Sequence, residues 1–238
     1  MIAVWRMGWL AGAMTAVAAW LTPDGLVVAA GADPCPDVEV VFARGTFEPP
    51  GVGATGQAFV DALAPRMSAR SLAVYPVEYP ASLDFARALD GVVDAGNKVI
   101  ALSSSCPSTK IVLGGYSQGA AVAAYTTTDH VPEGFTLPEG VTGPVPAQVA
   151  SHVAAVALFG KPSQGFLSAL DRDAPPIAIG RLYARKTIDL CVPEDPVCSP
   201  SGNDRGAHGA YAVNGMADQA ADYVVHALSS PTTSGRSI

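Results

Sequence analysis

Apolar residues follow two alternating patterns along this chain: short continuous runs, and longer stretches with helical spacing. The runs are typical of strands buried on both faces, and they lie at residues 38–43, 72–77, 111–113, 152–159 and part of 180–189. The helical spacing predicts helices over residues 57–69, 84–102, 120 to about 128, and 216–228. Strands that alternate with helices imply five parallel strands in a doubly wound α/β sheet, with helices on both faces.

Two segments rich in Gly and Pro interrupt this pattern and are predicted as loops, residues 47–56 and 130–150. A long loop such as the second often covers an active site. The predicted helix before it runs away from the carboxyl edge of the sheet, however. We therefore expect residues 130–150 to emerge at the opposite edge and to leave a site at the carboxyl edge open.

A candidate nucleophile lies where the third run meets its helix. Residues 115–119 read Gly-Tyr-Ser-Gln-Gly and fit the pattern G-x-S-x-G. A strand that turns sharply into a helix lifts the serine above the sheet edge, and glycines are needed where side chains would collide. The pattern alone is weak, but with this strand and helix around it, it predicts that Ser117 is a nucleophile. Free N–H groups at the helix start would stabilise a developing oxyanion.

Composition limits the class of protein. The chain has 238 residues, enough for one compact domain, and it is 49% hydrophobic with 15% charged residues, which argues against disorder. Its net charge is −7 and it has no basic run, so nucleic acid is an improbable partner.

The first 32 residues resemble a signal peptide: Arg6, an interrupted apolar stretch, and Ala30-Gly31-Ala32. The alternative is a retained anchor, but the uninterrupted apolar run is shorter than the ~20 residues that a bilayer requires. We expect cleavage after residue 32 and a mature domain over residues 33–238.

The mature chain retains four cysteines, and an even number in an exported chain predicts two disulfides with three alternative pairings. Cys191 and Cys198 are close enough in sequence to close a small loop. That pairing leaves Cys35 with Cys106. None of the cysteine spacings resembles a metal site.

A serine nucleophile needs a base and an acid, which follow it along the chain in hydrolases of this sheet type. Of the four histidines, His208 lies in the loop after the fifth predicted strand, whereas His130, His152 and His226 lie elsewhere. The acids in the right interval are Asp189, Glu194, Asp195 and Asp204. Asp195 lies inside the loop that two cysteines would close, which favours it as the orienting acid. The alternative is an ordinary solvated turn acid between two prolines.

The chain resembles the cutinase-family serine esterases, and among them the cutinase-like proteins of mycobacteria. The resemblance spans essentially the whole mature chain and rests on residues 35–37, 41–46, 114–119, 155–160, 189–191, 195–198 and His208. It implies the α/β-hydrolase fold, with Ser117 as nucleophile, Asp195 as acid and His208 as base. The resemblance also implies an oxyanion hole formed by the backbone of Gln118 and by Thr46, and the disulfides Cys35–Cys106 and Cys191–Cys198.

The resemblance further implies a carboxylic-ester hydrolase that works through an acyl-enzyme on short- to medium-chain or lipid esters. The alternatives are a phospholipase or thioesterase acting on envelope lipids, and a catalytically silent exported antigen. We expect a secreted monomer that needs no metal or cofactor and associates with lipids of the cell envelope. Apolar residues near the catalytic edge are candidates for an acyl groove, or else pack on the core: Phe47, Tyr79, Pro80, Leu83, Phe166 and Leu167.

Overall fold

The computed structural model describes residues 35–131, 137, 141–170, 172 and 174–230. The predicted signal peptide, residues 1–32, lies outside the described residues. No helix in the described ranges is both long enough and apolar enough to cross a membrane.

The core of the fold is a parallel five-stranded sheet, as the pattern of apolar runs predicts. Its strands are β1 Val38–Ala43, β2 Leu72–Pro76, β3 Lys110–Tyr116, β4 Val153–Phe159 and β5 Thr187–Leu190, arranged in the order β2-β1-β3-β4-β5. Every residue of β1 is buried, because helices cover both faces of the sheet. All five strands point the same way, so the loops that follow β1, β3 and β5 meet at one edge.

Helices form a layer on each face of the sheet. They are α1 Gly53–Leu63, α2 Ala88–Ser105, α3 Gln118–Thr126, α4 Gln164–Leu170, α5 Arg205–His208 and α6 Met216–Ser229. Short 3₁₀ turns lie at Ala64–Met67, Phe85–Arg87, Ala147–Ser151, Ala184–Lys186 and Ala210–Ala212. Side chains of α2 and α3 pack on one face of the sheet, and those of α1 and α6 pack on the other. The fold is therefore the predicted α/β-hydrolase arrangement.

The first helix begins earlier than the sequence predicts. Residues 47–56 were expected to form a loop because of their Gly and Pro content, but α1 starts at Gly53. The carboxylate of Glu48 accepts a hydrogen bond from the Ala54 N–H at 2.7 Å, which supplies one of the acceptors that a helix start lacks. Within α1, a side-chain carbon at Gly56 would lie 2.7 Å from the Phe42 ring. This glycine lets the helix approach the sheet closely and does not mark a loop.

Two short helices at the catalytic edge were also missed by the prediction, α4 and α5. Both are too short for helical spacing to be visible in the sequence. The Ser163 hydroxyl accepts a hydrogen bond from the Phe166 N–H at 3.2 Å at the start of α4. Likewise the Asp204 carboxylate accepts from the Gly206 N–H at 2.8 Å and caps α5.

Two disulfides link the chain, and they are Cys35–Cys106 and Cys191–Cys198, the pairs that the resemblance implies. The first joins the start of the domain to the end of α2 across a sequence separation of 71 residues. The second closes a loop with a separation of 7 residues directly after β5. Within the described part of the chain, each cysteine is paired.

Candidate active site

Ser117 occupies a strained turn between β3 and α3. Its φ of 55° lies in the left-handed region, which a residue other than glycine rarely adopts. A side-chain carbon at Gly115 would lie 2.1 Å from the Gly119 carbonyl oxygen, and one at Gly119 would lie 2.0 Å from the Ala43 carbonyl oxygen. Only glycine fits at either position. The two glycines of the motif therefore allow the turn that presents the Ser117 hydroxyl at the sheet edge.

A continuous hydrogen-bonded chain joins Ser117, His208 and Asp195. Ser117 Oγ lies 2.8 Å from His208 Nε2, and His208 Nδ1 lies 2.8 Å from Asp195 Oδ2. A carboxylate can only accept, so the Nδ1–H donates to Asp195 and Nε2 is left to accept the serine proton. This arrangement makes the serine a potential nucleophile and the imidazole its base.

Asp195 is fully buried and is held by several donors. Its side chain is 0% exposed, so its charge requires hydrogen bonds in place of water. The Val197 N–H donates to Oδ1 at 2.8 Å, and the Tyr211 hydroxyl donates to Oδ2 at 2.6 Å, the oxygen that His208 also contacts. The carboxylate is thus fixed on both oxygens before any substrate binds.

His208 is positioned from both sides by aromatic rings. The Tyr116 ring lies 5.2 Å from the imidazole at an interplanar angle of 31°, and its hydroxyl donates to the His208 carbonyl oxygen at 2.6 Å. The Tyr211 ring lies 6.3 Å away, nearly perpendicular to the imidazole. The base therefore has little freedom to leave the line between Ser117 and Asp195.

The other acids and histidines in the candidate set do not contact Ser117 or His208. Asp189 forms an ion pair with Lys161 at 3.3 Å, and Asp204 caps α5. The backbone carbonyl of Glu194 accepts a hydrogen bond from the Asp204 N–H at 3.0 Å, so Glu194 stabilises the loop after β5 through its backbone. The other three histidines follow α3 (His130), precede β4 (His152) or lie in α6 (His226).

Thr46 and Gln118 are the two residues predicted for an oxyanion hole, and Gln118 directly follows Ser117 in the chain. Both line the cavity into which the serine opens. Gln118 is the first residue of α3, so its N–H has no intrahelical acceptor. Its side chain donates from Nε2 to the Ser82 carbonyl oxygen at 3.1 Å, whereas Oε1 is buried with no hydrogen-bond partner among the described residues. Gln118 thus also ties the loop before α2 to the nucleophile turn.

Arg44 holds the loop that carries Thr46. Its side chain is buried and donates to the carbonyl oxygens of Glu48 at 2.9 Å, Val77 at 3.3 Å and Tyr79 at 2.5 Å. In return the Tyr79 hydroxyl donates to the Arg44 carbonyl oxygen. This arginine therefore connects the ends of β1 and β2 and does not reach into the cavity.

A mostly apolar cavity of about 530 Å³ opens beside Ser117. Four of the six residues predicted for an acyl groove line it: Phe47, Leu83, Phe166 and Leu167. Tyr79 follows the alternative, since it is buried in the core and packs against Arg44. Pro80 does not line the cavity.

The cavity also reaches the segment at 130–150. That segment leaves the end of α3 and rejoins the chain before β4, at the amino edge of the sheet, as its connections require. Nevertheless Val131, Leu137, Val141 and Val145 line the same cavity as Ser117. The segment therefore joins the chain at the predicted edge, but it does not stay clear of the cavity, because the cavity extends along α2 far enough to meet it.

Two residues of the site escaped the sequence analysis, Tyr211 and Gly202. Tyr211 is fully buried, and its hydroxyl contact with Asp195 joins residues 16 apart in sequence. Gly202 lies against the Asp195 backbone, where a side-chain carbon would be 2.4 Å from the carbonyl oxygen. The position of Tyr211 three residues after His208 was the one available signal, but a single tyrosine carries no pattern.

Among the described residues, no cluster of His, Cys, Asp or Glu has the arrangement of a metal site.

Comparison with known proteins identifies the family. A family model described as "Cutinase" matches residues 34–228. The chain is 47% identical over 201 residues to "Carboxylesterase Culp1" of Mycobacterium tuberculosis, covering 84% of this chain and 85% of the relative. It is 45% identical over 222 residues to "Phospholipase Culp4" of the same organism, covering 92% of this chain and 90% of the relative.

A solved structure agrees with these sequence matches. It is a Trichoderma reesei cutinase in complex with a phosphonate inhibitor, 34% identical, with a TM-score of 0.61. The alignment covers 83% of this chain and 79% of that chain. The present chain is a carboxylic-ester hydrolase, and it belongs to the cutinase family.

Proposed function

We propose that the protein hydrolyses carboxylic esters through an acyl-enzyme on Ser117. The observation that carries the proposal is the chain of 2.8 Å contacts from Ser117 through His208 to the buried Asp195. His208 Nε2 takes the hydroxyl proton as Ser117 Oγ attacks the ester carbonyl carbon, and then gives that proton to the departing alcohol. A water molecule, deprotonated by the same imidazole, attacks the acyl-enzyme and releases the carboxylic acid.

The remaining site residues have supporting roles in this proposal. Asp195 holds the imidazole in the tautomer that accepts at Nε2 and stabilises the imidazolium that forms. The Gln118 N–H and Thr46 are placed to stabilise negative charge on the carbonyl oxygen of the tetrahedral intermediate. Removing one such donor from an oxyanion hole typically lowers kcat by about 10²–10³.

We further propose that the substrates are lipid esters and that the protein is exported. Three large apolar side chains at the cavity mouth are exposed, Phe47, Leu83 and Leu170, and such a rim suits a lipid more than a dissolved polar ester. Two disulfides support an oxidising compartment outside the cytoplasm.

A fluorophosphonate probe tests the proposed nucleophile. The purified protein is expected to be labelled stoichiometrically, and Ser117→Ala is expected to lose both labelling and hydrolysis of p-nitrophenyl butyrate. Ser103→Ala, which removes a hydroxyl from α2 outside the cavity, is the matched control and retains both. Labelling of Ser117→Ala, or hydrolysis by it at the wild-type rate, would contradict the proposal.

Phospholipase activity is a second candidate. The relative Culp4 is named a phospholipase, and the apolar cavity beside Ser117 suits the acyl chain of a phospholipid. Release of fatty acid from phosphatidylcholine vesicles distinguishes the two candidates. A phospholipase releases fatty acid from these vesicles at a rate close to that with a p-nitrophenyl ester of the same acyl chain, whereas a simple carboxylesterase does not.

A further inference from the structure

The cavity beside Ser117 does not end at the catalytic residues but continues down the α2–α3 face of the sheet. We propose that this continuation binds the acyl chain of the substrate, and that it fits an unbranched chain of about 12–14 carbons. The inference rests on the proposed function, since the chain would be the one carried on Ser117. It extends the acyl site from the catalytic edge, where Phe47 and Leu83 line the cavity, along the helices α2 and α3.

One face of α2 lines the cavity along most of the helix. After Ala88 at the start of the helix, the residues that contribute follow the spacing i, i+3, i+4, i+7, i+8, i+11 and are Leu89, Val92, Val93, Gly96, Asn97 and Ile100. Such a spacing places side chains in one stripe on a helix. A second stripe on α2 is buried against the sheet, and it contains Ala95, Val99 and Leu102. This helix therefore packs on the core with one stripe and lines the cavity with the adjoining one, and Val92 and Ile100 contact both.

The opposite wall is formed by α3 and the turn after it. Gln118, Ala121, Tyr125 and Thr128 line the cavity, again spaced three or four residues apart. The stripe begins next to Ser117 and moves steadily away from it. Two helices thus form a continuous trough that starts at the nucleophile.

The length of the trough sets the length of the ligand. At about 1.5 Å per residue, the 11 steps from Leu89 to Ile100 span about 16 Å, and the 10 steps from Gln118 to Thr128 span about 15 Å. An extended chain advances about 3.6 Å over three bonds, so 15–16 Å corresponds to about 13 bonds. The volume is sufficient for such a chain: at about 30 Å³ per water-sized group, the whole cavity of 530 Å³ has room for about 18 such groups.

The chemistry of the lining favours an alkyl chain over a polar ligand. None of the described residues that line the cavity is Asp, Glu, Lys or Arg. Among the described lining residues the one imidazole is that of His208, which lies at the catalytic end. A charged or strongly hydrated ligand would lose its water in the trough without gaining a partner.

Gly96 keeps the middle of the trough open. It lies in the interior of α2, where glycine costs about 1 kcal/mol relative to alanine. The nearest heavy atom to an added side-chain carbon would be Val145 Cγ2 at 3.5 Å, an ordinary contact. Crowding by neighbouring atoms therefore does not explain the glycine. Keeping the cavity open does explain it, because any side chain at this position would occupy part of the trough. A larger side chain at this position would close the trough about 10 Å from Leu89, after about eight carbons.

The test is a series of p-nitrophenyl esters with acyl chains of 2 to 16 carbons, assayed below their micelle-forming concentrations. We expect wild-type kcat/KM to rise to a maximum near 12–14 carbons, since each methylene transferred into an apolar site is worth up to about fourfold. Gly96→Leu is expected to retain the wild-type rate on esters of up to six carbons and to lose at least tenfold on the 12-carbon ester. Ala101→Leu, on the exposed face of α2, is the matched control and keeps the wild-type profile.

A second variant keeps the proposal testable if Gly96→Leu does not fold. Ile100→Trp fills the far end only, so it is expected to lower kcat/KM for 14- and 16-carbon esters while leaving the 8-carbon ester unchanged. The site proposal is overturned if wild type prefers chains of four carbons or fewer, or if both folded variants keep the wild-type profile. In either case hydrolysis of short esters would still support the proposed esterase function, and only the proposed acyl site would be rejected. Failure of the proposed function itself would be seen differently, as no hydrolysis or fluorophosphonate labelling at any chain length.

Discussion

Tyr211→Phe is expected to lower kcat about tenfold without changing KM. Tyr211 does not reach the cavity, and its hydroxyl donates to Asp195 Oδ2 at 2.6 Å, on the oxygen that orients His208. Phenylalanine keeps the ring and its packing between Phe159 and Tyr116 and removes only the oxygen. The variant therefore tests whether Tyr211 is a positioning residue for the acid of the proposed triad.

The magnitude follows from the donors that Asp195 has. A hydrogen bond to a charged group contributes about 1.5–3 kcal/mol, and the Val197 N–H and His208 remain as donors in the variant. We expect a loss of about 2 kcal/mol in the free energy of unfolding, because the carboxylate is fully buried. A smaller part, about 1.4 kcal/mol, should appear in the transition state, where the carboxylate stabilises the imidazolium, and this corresponds to about tenfold in kcat.

The pH dependence separates positioning from titration of the tyrosine. Burial and the hydrogen bond to Asp195 raise the pKa of Tyr211 above its ordinary value. A raised pKa keeps the hydroxyl protonated to higher pH, so the hydroxyl stays a donor across the alkaline range. The ratio of wild-type to variant kcat is therefore expected to be constant from pH 7 to pH 10.

The assay is steady-state hydrolysis of p-nitrophenyl butyrate, with urea denaturation on the same samples. Tyr183→Phe is the matched control, because Tyr183 is also buried but packs with the cluster on the opposite face of the sheet. It is expected to leave kcat unchanged. A folded Tyr211→Phe with kcat within twofold of wild type would refute the positioning argument, as would a change confined to KM.

Three further predictions concern the surroundings of the site. Replacing both Cys191 and Cys198 by alanine releases a loop with a separation of 7 residues, worth about 2 kcal/mol in unfolding free energy, and should lower kcat more than tenfold; unchanged kcat in the folded variant would contradict this. Phe47→Gly relieves a φ of 66° at a side chain that is 73% exposed, so thermal stability should hold while KM for a lipid ester rises severalfold. Lys98→Met leaves the buried Glu39 without its partner at 2.6 Å and should cost about 2 kcal/mol in urea denaturation, with recovery when Glu39→Gln is added.

Local patterns of the sequence predict most of the sheet and the nucleophile turn. A strand covered on both faces must be apolar throughout, so β1 and β4 stand out as runs. The turn at Ser117 requires glycine at two fixed positions because neighbouring backbone occupies the space of a side chain. In each of these cases the residues under the constraint are close together in sequence, and the pattern is therefore visible there.

Contacts that depend on a single side chain leave no such pattern. The start of α1 depends on one Glu48 carboxylate, and a glycine-rich segment with that acceptor is indistinguishable in sequence from a loop. Tyr211 is linked to Asp195 through a single hydroxyl. Nothing in the sequence distinguishes this tyrosine from any other buried tyrosine. These features follow from tertiary geometry, which propensity and periodicity do not encode.

The cavity shows the same limit for a whole helix face. Helical spacing identifies α2 as amphipathic. The spacing does not show, however, whether an apolar residue faces the core or a cavity. Ala95 and Val99 are buried inside the core cluster, whereas Val92 and Ile100 pack against its border and also line the trough. Both sets are apolar for the same reason, exclusion of water. Two glycines break the pattern in α2, and neither favours a helix. A side-chain carbon at Gly91 would lie 3.0 Å from the Tyr79 ring, whereas one at Gly96 would have open space beside it. A glycine inside a helix with open space beside it is therefore the sequence feature most informative about the proposed acyl site. The sequence shows the glycine, but only the structure shows the open space.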